Sequence, residues 1–290
     1  KELDIYASKA EELRELSLRQ LHLGGGTPTF FSAENLDILL SAIKEKFKID
    51  SCSMDASVEV NPLHASKEQL KVFRRHGFRR ISIGVQDFAP DVQKAVNRVQ
   101  PLEVTELLLR QSRELGFNSV NFDLIYGLPG QTPQSIQETA SKTIELRPDR
   151  IALYSLAIVP WLKPSHKRLA EICPKSGEKR HLYEVARKAL LEASYVEIGM
   201  DHFALQGDSL AAAARSGGLH RNFMGYTDRQ SDILIALGAS AISESPGCYH
   251  QNDKDIGQYM SAIQEERLAT ARGHIMTTED RLCRSQILSL

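Results

Sequence analysis

Leu36, Leu39, Leu40, Ile43 and Phe47 recur at three- and four-residue spacing, which lays one apolar stripe along a helix that Ser32 can cap. Ser66 and Gln69 have the spacing of a capping box and open a second helix that ends at Gly77. A third runs from Leu102 to Leu115 and stops at Gly116, and a fourth begins at Thr132-Pro133 and is closed by Pro148. After three of the predicted helices the chain resumes in a similar way: Gly77-Phe78-Arg79-Arg80-Ile81, Gly116-Phe117-Asn118-Ser119-Val120 and Ser194-Tyr195-Val196-Glu197-Ile198. Strands alternating with helices over about 30 residues predict parallel βαβ units.

The predicted strands end on polar or glycine-rich groups. Gly24-Gly25-Gly26-Thr27-Pro28 follows Gln20 to Leu23, Glu59 closes Ala56 to Val60, Gln86-Asp87 closes Ile81 to Val85, and Asp123 to Pro129 ends an apolar run. Gly199-Met200-Asp201-His202 follows Tyr195 to Ile198. In a parallel (β/α) barrel the carboxyl ends of the strands open on one face, so these groups would converge on a single cavity. Beyond Pro160 the pattern predicts a long helix from about Lys179 to Ala193, a small-residue segment from Leu210 to Gly218, a last strand and turn within Ile233 to Ile242, and a capped helix from Thr277.

At 290 residues, 42% of them hydrophobic, the chain can bury a large core as one domain or two. A formal net charge of −1 gives no electrostatic reason to expect nucleic acid, and no apolar run reaches membrane-spanning length. Cys52, Cys173, Cys248 and Cys283 are far apart and form no metal-type pair, which predicts a reduced, cytoplasmic protein whose thiols act as small hydrophobes. No metal ligands are expected: His202 and His220 with Asp201 lack the spacing of a helical His pair.

The triple glycine lets a backbone approach a ligand closely, and it also suits a tight strand-to-helix turn. Glu59 at a strand end needs a partner, which a ligand amine, a ribose hydroxyl or a neighbouring Arg would provide. Gln86, Arg98 and Asp123 fall on the same expected face across successive units, which favours a shared site. Arg74-Arg75-His76 and Arg79-Arg80 flank Gly77, where cations complement a helix carboxyl end, so they are read as solvated rather than as a nucleic-acid patch.

GGGTP at Gly24 to Pro28, SVEVNP at Ser57 to Pro62, RRISIGVQDF at Arg79 to Phe88, VNR at Val96 to Arg98 and NFDLIYGLPGQT at Asn121 to Thr132 form an ordered set. Together with GMDHFA at Gly199 to Ala204 and HRNFMGYT at His220 to Thr227, the set resembles radical S-adenosylmethionine enzymes of the coproporphyrinogen oxidase group, over nearly the whole chain. The resemblance implies an α/β fold, a (β/α) TIM-like barrel. It also implies a four-iron four-sulfur cluster that cleaves S-adenosylmethionine, and the oxidative decarboxylation of two propionates of coproporphyrinogen III to vinyls. By the same resemblance Gly25 and Glu59 hold one S-adenosylmethionine, Gly26, Thr27, Gln86, Arg98, Asp123 and Ala157 surround a second, and Ile242 packs against the first. An electron donor, an electron acceptor and a monomeric state are implied as well.

The group's cluster ligands come from a Cys-x3-Cys-x2-Cys loop upstream of the triple glycine, and the four cysteines here cannot replace it. The expectation is therefore an incomplete, inactive piece: residues 1–275 as a partial barrel lacking its first strand, with its carboxyl-terminal extension, and 276–290 as the start of a helical carboxyl-terminal domain. The alternative is a relative that binds a tetrapyrrole or haem as a carrier without decarboxylating it.

Overall fold

A computed structural model of the chain describes residues 1–10, 15–49, 54–161, 166–222 and 225–288. Cys52, Phe223 and Met224 lie outside them. The chain forms two compact units, one of residues 1–20, 38–54 and 216–290, the other of 21–37 and 55–215.

The second unit is built on a seven-stranded sheet in the order Gln20–Leu23, Asp55–Val60, Phe78–Gln86, Ser119–Tyr126, Arg150–Ser155, His202–Leu205, Tyr195–Gly199. From Asp55–Val60 to Arg150–Ser155 neighbouring strands pair in parallel, joined by the helices Lys67–Arg75, Leu102–Glu114 and Pro133–Leu146. Local chemistry sets the helix ends as the sequence predicts. Ser66 and Gln69 form a reciprocal capping box, Thr132 and Ser135 form another with Pro133 in the first turn, and the Ser32 hydroxyl accepts the Asn35 N–H.

Along three of the parallel strands burial alternates with period two. Ala56, Val58 and Val60, Ile81, Ile83 and Val85, and Val120, Phe122 and Leu124 are buried on one face, as are Leu70, Phe73, Leu108 and Ile136 of the connecting helices. Each of the Val, Leu, Ile and Phe side chains among them contributes about 1.5 to 3 kcal/mol. The opposite face carries the polar members of the same strands. A parallel sheet covered on both faces reads as continuous apolar runs, so this alternation marks a sheet with one face left to polar chemistry.

The sequence reads Tyr195 to Ile198 as another strand of the parallel series with Gly199-Met200-Asp201-His202 as its end. The strand exists, as Tyr195–Gly199, but it borders the sheet through His202–Leu205, which runs antiparallel to both Tyr195–Gly199 and Arg150–Ser155. Gly199 to His202 is thus the turn of a hairpin, which repeats of helix and strand do not signal. The Leu210 to Gly218 segment is a helix, Ser209–Ser216.

The amino edge of the sheet is locked by a buried ion pair. Arg150 donates from Nε to Asp208 Oδ1 at 2.8 Å, their side chains are 9% and 6% exposed, and Asp208 also accepts from the Leu210 N–H and the Ser119 hydroxyl.

In the first unit the helix Glu2–Lys9 buries Ile5 and Ala7, and Glu2, itself buried, accepts from the Gly238 N–H, Asn252 Nδ2 and the Tyr259 hydroxyl at 2.6 to 2.7 Å. Ile242–Ser245, Cys248–Asn252 and Thr270–Ile275 form an antiparallel sheet. The apolar stretch before Ile242 is irregular, with a single bridge at Leu234, so the strand expected there starts only at Ile242. A helix spans Thr278–Leu288, capped by the Thr277 hydroxyl, which accepts the Asp280 N–H. No described helix is long and apolar enough to cross a membrane.

Replacing Asp208 by Ala strands the Arg150 guanidinium in the amino edge, and the expected loss is about 3 to 5 kcal/mol of unfolding free energy. Urea denaturation followed by circular dichroism measures it, and a loss below about 1 kcal/mol, the scale of an exposed pair, would contradict the assignment.

Candidate cofactor site

The register of the sheet sets two rows of polar positions side by side. Glu59 pairs with Ser82, Ser82 with Asn121 and Asn121 with Arg150; one step nearer the carboxyl edge Gly84 pairs with Asp123, Asp123 with Ala152 and Ala152 with His202. Paired residues point to the same face, so Glu59, Ser82, Asn121, Asp123 and His202 share it. The sequence names Glu59, Asp123 and His202 but misses Ser82 and Asn121. Their signal is the period of two: Ser57 and Glu59, Ser82 and Gln86, and Asn121 and Asp123 each stand two or four apart on one strand.

Asp123 sits at the centre. The Ser82 hydroxyl donates to its Oδ2 at 2.8 Å and Asn121 Nδ2 to its Oδ1 at 2.8 Å. It keeps some solvent contact by area, yet protein surrounds it on its remaining sides, and this desolvation, reinforced by the nearby Glu59 charge, pushes its carboxyl up to about 6 despite the two donors and Arg98.

Glu59 is tuned the other way. A hydrogen bond with His22 holds its carboxyl below the usual carboxylate range, against partial desolvation, and the Gly25 N–H, donating to Oε2 at 3.2 Å, adds to the effect. A Cβ on Gly24 would stand 2.4 Å from His22 Nε2 and 2.8 Å from Glu59 Oε1, so only glycine lets the two side chains close over the loop. Gly25 itself has φ +90°, in the region glycine favours. Thr27 follows, leading into the 3-10 turn Pro28–Phe30.

Gln86 ends its strand at a register shift and has φ 70°, a conformation that costs a residue with a side chain about 1 to 3 kcal/mol. Such bulges re-aim side chains next to functional sites. The strain is held from behind by Asp87, 1% exposed, which accepts from the Ala89 N–H, Gln131 Nε2 and the Thr139 hydroxyl. Asp87 is therefore structural, and through Gln131, whose Oε1 accepts from the Gly127 and Leu128 amides, it also fixes the glycine turn after Tyr126. Arg98 donates from Nη2 to the Gly84 carbonyl at 2.8 Å; its Nε is buried without a hydrogen-bond partner, and desolvation, opposed by Asp123, lowers its pKa. A Cβ at Gly84 would lie 3.0 Å from both Arg98 Nη2 and Gln86 Nε2.

Ala157 is exposed in the segment that follows Arg150–Ser155, tied back by the Leu156 N–H to the Tyr126 carbonyl. Ile242, half-buried on Ile242–Ser245, belongs to the other unit, as do His220 and Arg221, which sit on the strand His220–Asn222 that pairs antiparallel with Gly225–Thr227. The cations around Gly77 are more engaged than a solvated reading allows: Arg74 binds the Leu115 carbonyl and lies over the Phe117 ring, Arg80 pairs with Asp55 through two hydrogen bonds, and the buried His76 with Asp37.

Residues 3–143 match the family model of the radical SAM superfamily. The chain is 41% identical over 265 residues to the oxygen-independent coproporphyrinogen III oxidase of Paracoccus denitrificans, covering 91% of this chain and 58% of that protein. It is 40% identical over 272 residues to the Escherichia coli K12 protein of the same name, covering 93% and 59%. The solved structure of coproporphyrinogen III oxidase from Escherichia coli, described as a radical SAM enzyme, superposes with a TM-score of 0.94 at 39% identity over 100% of this chain and 66% of that one. This chain belongs to the radical SAM superfamily. It spans about three fifths of the length of the curated relatives it matches.

Membership in the radical SAM superfamily implies S-adenosylmethionine and a four-iron four-sulfur cluster. The polar face fits the first: an open glycine backbone at Gly25 and Gly26, an ionised carboxylate at Glu59, a second carboxyl at Asp123 and the orphaned Arg98 Nε suit a ligand with an ammonium, a carboxylate and ribose hydroxyls. The described residues do not fit the cluster, since no three His, Cys, Asp or Glu side chains among them gather as ligands, and Cys173, Cys248 and Cys283 are free thiols.

Because the folded Asp123 carboxyl titrates near 6 and an unfolded one near 3.9, the fold retains a proton that the unfolded chain releases over that window. Stability associated with Asp123 is intact below about pH 4 and is lost as pH rises through about 6. Asp123→Asn should thus gain about 2 to 3 kcal/mol on the parent between pH 4 and pH 7. Urea unfolding of both at several pH values tests this, and a difference that does not change with pH would contradict it.

Proposed function

We propose that the protein catalyses the oxidative decarboxylation of two propionate side chains of coproporphyrinogen III to vinyl groups, giving protoporphyrinogen IX in haem biosynthesis. The observation that carries the reading is the polar face of Glu59, Ser82, Asn121 and Asp123 with Gln86 and Arg98 at the carboxyl edge, in a chain with a fold match of TM-score 0.94 to a coproporphyrinogen III oxidase.

Each propionate loses carbon dioxide, one proton and two electrons as it becomes a vinyl, so an electron acceptor is needed besides the donor that starts the reaction. S-adenosylmethionine, when bound, supplies the hydrogen-abstracting chemistry. What falls to the chain is positioning. Gly25 and Glu59 hold one S-adenosylmethionine, the amide of the glycine loop and the ionised carboxylate taking its amino-acid end. Gly26, Thr27, Gln86, Arg98, Asp123 and Ala157 surround a second; the Arg98 guanidinium suits a carboxylate and Asp123 a hydroxyl or ammonium. The part given to Ile242 rests on the family resemblance. A substrate with several carboxylates calls for cations, and on this face His202 and Arg98 are the candidates.

The protein expressed from its full coding sequence, given reductant, S-adenosylmethionine and coproporphyrinogen III without oxygen, should release carbon dioxide and form protoporphyrinogen IX, detected by chromatography after oxidation to the porphyrin. Tight haem binding with no decarboxylated product would favour a tetrapyrrole carrier instead. In the same protein Asp123→Asn should weaken S-adenosylmethionine binding by about 1.5 to 3 kcal/mol, the range for a hydrogen bond to a charged group. Calorimetric titration reads it, and unchanged affinity would remove Asp123 from the site.

A further inference from the structure

His22 is the polar side chain nearest to Glu59 that the proposed chemistry leaves without a task. It projects from the Gln20–Leu23 strand, and its ring spans two residues of the neighbouring Asp55–Val60 strand: Nδ1 lies 2.9 Å from Ser57 Oγ and Nε2 3.3 Å from Glu59 Oε1. Ser57 and Glu59 are two apart on one strand and so share a face. The ring is 24% exposed and the carboxylate 44%. One oxygen of Glu59 therefore meets His22 and the other the Gly25 amide, while the remaining side of the carboxylate is open.

The hydrogen bonds are mutually consistent for a neutral ring. With Nε2–H donated to Glu59, Nδ1 is an acceptor, and the Ser57 hydroxyl can donate to it. Gly24 completes the arrangement from the other side, since any side chain there would displace the ring or the carboxylate. The result is a relay of Ser57, His22 and Glu59 whose outer end faces the glycine loop.

We propose that His22, oriented by Ser57, is a positioning residue that fixes the Glu59 carboxylate for the amino-acid end of S-adenosylmethionine. The inference rests on the reading of this face as a cofactor site and extends it to a residue that would not touch the ligand. The downward shift of the Glu59 carboxyl by His22 agrees with it.

The test is calorimetric titration of the full chain with S-adenosylmethionine and, separately, with 5′-methylthioadenosine, which has the nucleoside but no amino-acid end. His22→Phe and Glu59→Gln should each weaken S-adenosylmethionine about tenfold, the scale of one hydrogen bond to a charged group. The double variant should be no weaker than Glu59→Gln, because His22 acts only through Glu59. His22→Gln, whose amide can stand in for Nε2–H, should stay within about threefold of the parent, and methylthioadenosine should bind all of them alike. Parent-like affinity in His22→Phe, losses that add in full, or an equal loss for methylthioadenosine would overturn the proposal. If Glu59→Gln itself binds S-adenosylmethionine like the parent, the site reading fails and takes the role of His22 with it. Thermal melting confirms folding, and if His22→Phe unfolds, Ser57→Ala replaces it: it should weaken binding in the parent and not in Glu59→Gln, and any other result counts against the relay.

Discussion

A parallel sheet that is apolar on one face and polar on the other has only one stable arrangement in water: helices on the first face, and on the second a surface whose polar groups satisfy one another or wait for a ligand. The strands bearing Glu59, Gln86 and Asp123 impose that arrangement. Their buried members, Val58, Val60, Ile81, Ile83, Phe122 and Leu124, supply the core, and the alternate members cannot then avoid sharing the opposite face. The amino edge is closed by the Arg150–Asp208 pair, while the carboxyl end carries the positive φ of Gln86 and the Arg98 Nε without a hydrogen-bond partner.

At that other end the two carboxyl groups are driven apart in ionisation. Glu59, beside His22 and the Gly25 amide, is kept charged, whereas Asp123, ringed by protein, is pushed up to about 6. Neighbouring carboxylates with opposed environments are characteristic of ligand sites rather than of cores, which do better with apolar side chains. The positive φ of Gln86, braced by the buried Asp87, and the orphaned Nε of Arg98 belong to the same pattern: local rules are broken at this end of the sheet.

Most of what is local was legible in the sequence. The capping residues Ser32, Ser66 and Thr132 and the breaks at Gly77, Gly116 and Pro148 act within a few residues, and they delimit the helices as expected. The ordered motifs pointed to the strand ends, and Glu59, Gln86, Arg98 and Asp123 do lie together. What stayed hidden depends on long-range pairing. Nothing near His202 signals that it starts an antiparallel strand beside Ala152, 50 residues earlier. Arg150 and Asp208 meet only because the strand and the Ser209–Ser216 helix converge. His22 falls in a short strand whose burial does not alternate, so its partner on the next strand could not be read from the pattern. Asp87 reads as a site residue by position and proves to be a buried anchor.

On our proposal S-adenosylmethionine binds the carboxyl-edge polar face of this sheet. Hydrogen–deuterium exchange of the chain with and without saturating S-adenosylmethionine tests it most directly. Slower exchange confined to peptides covering Gly24 to Thr27, Gly84 to Arg98 and Asp123 to Leu128, with the amino edge around Arg150 and Asp208 unchanged, is the predicted result. Unchanged exchange in all three, or protection only at the amino edge, would contradict the account.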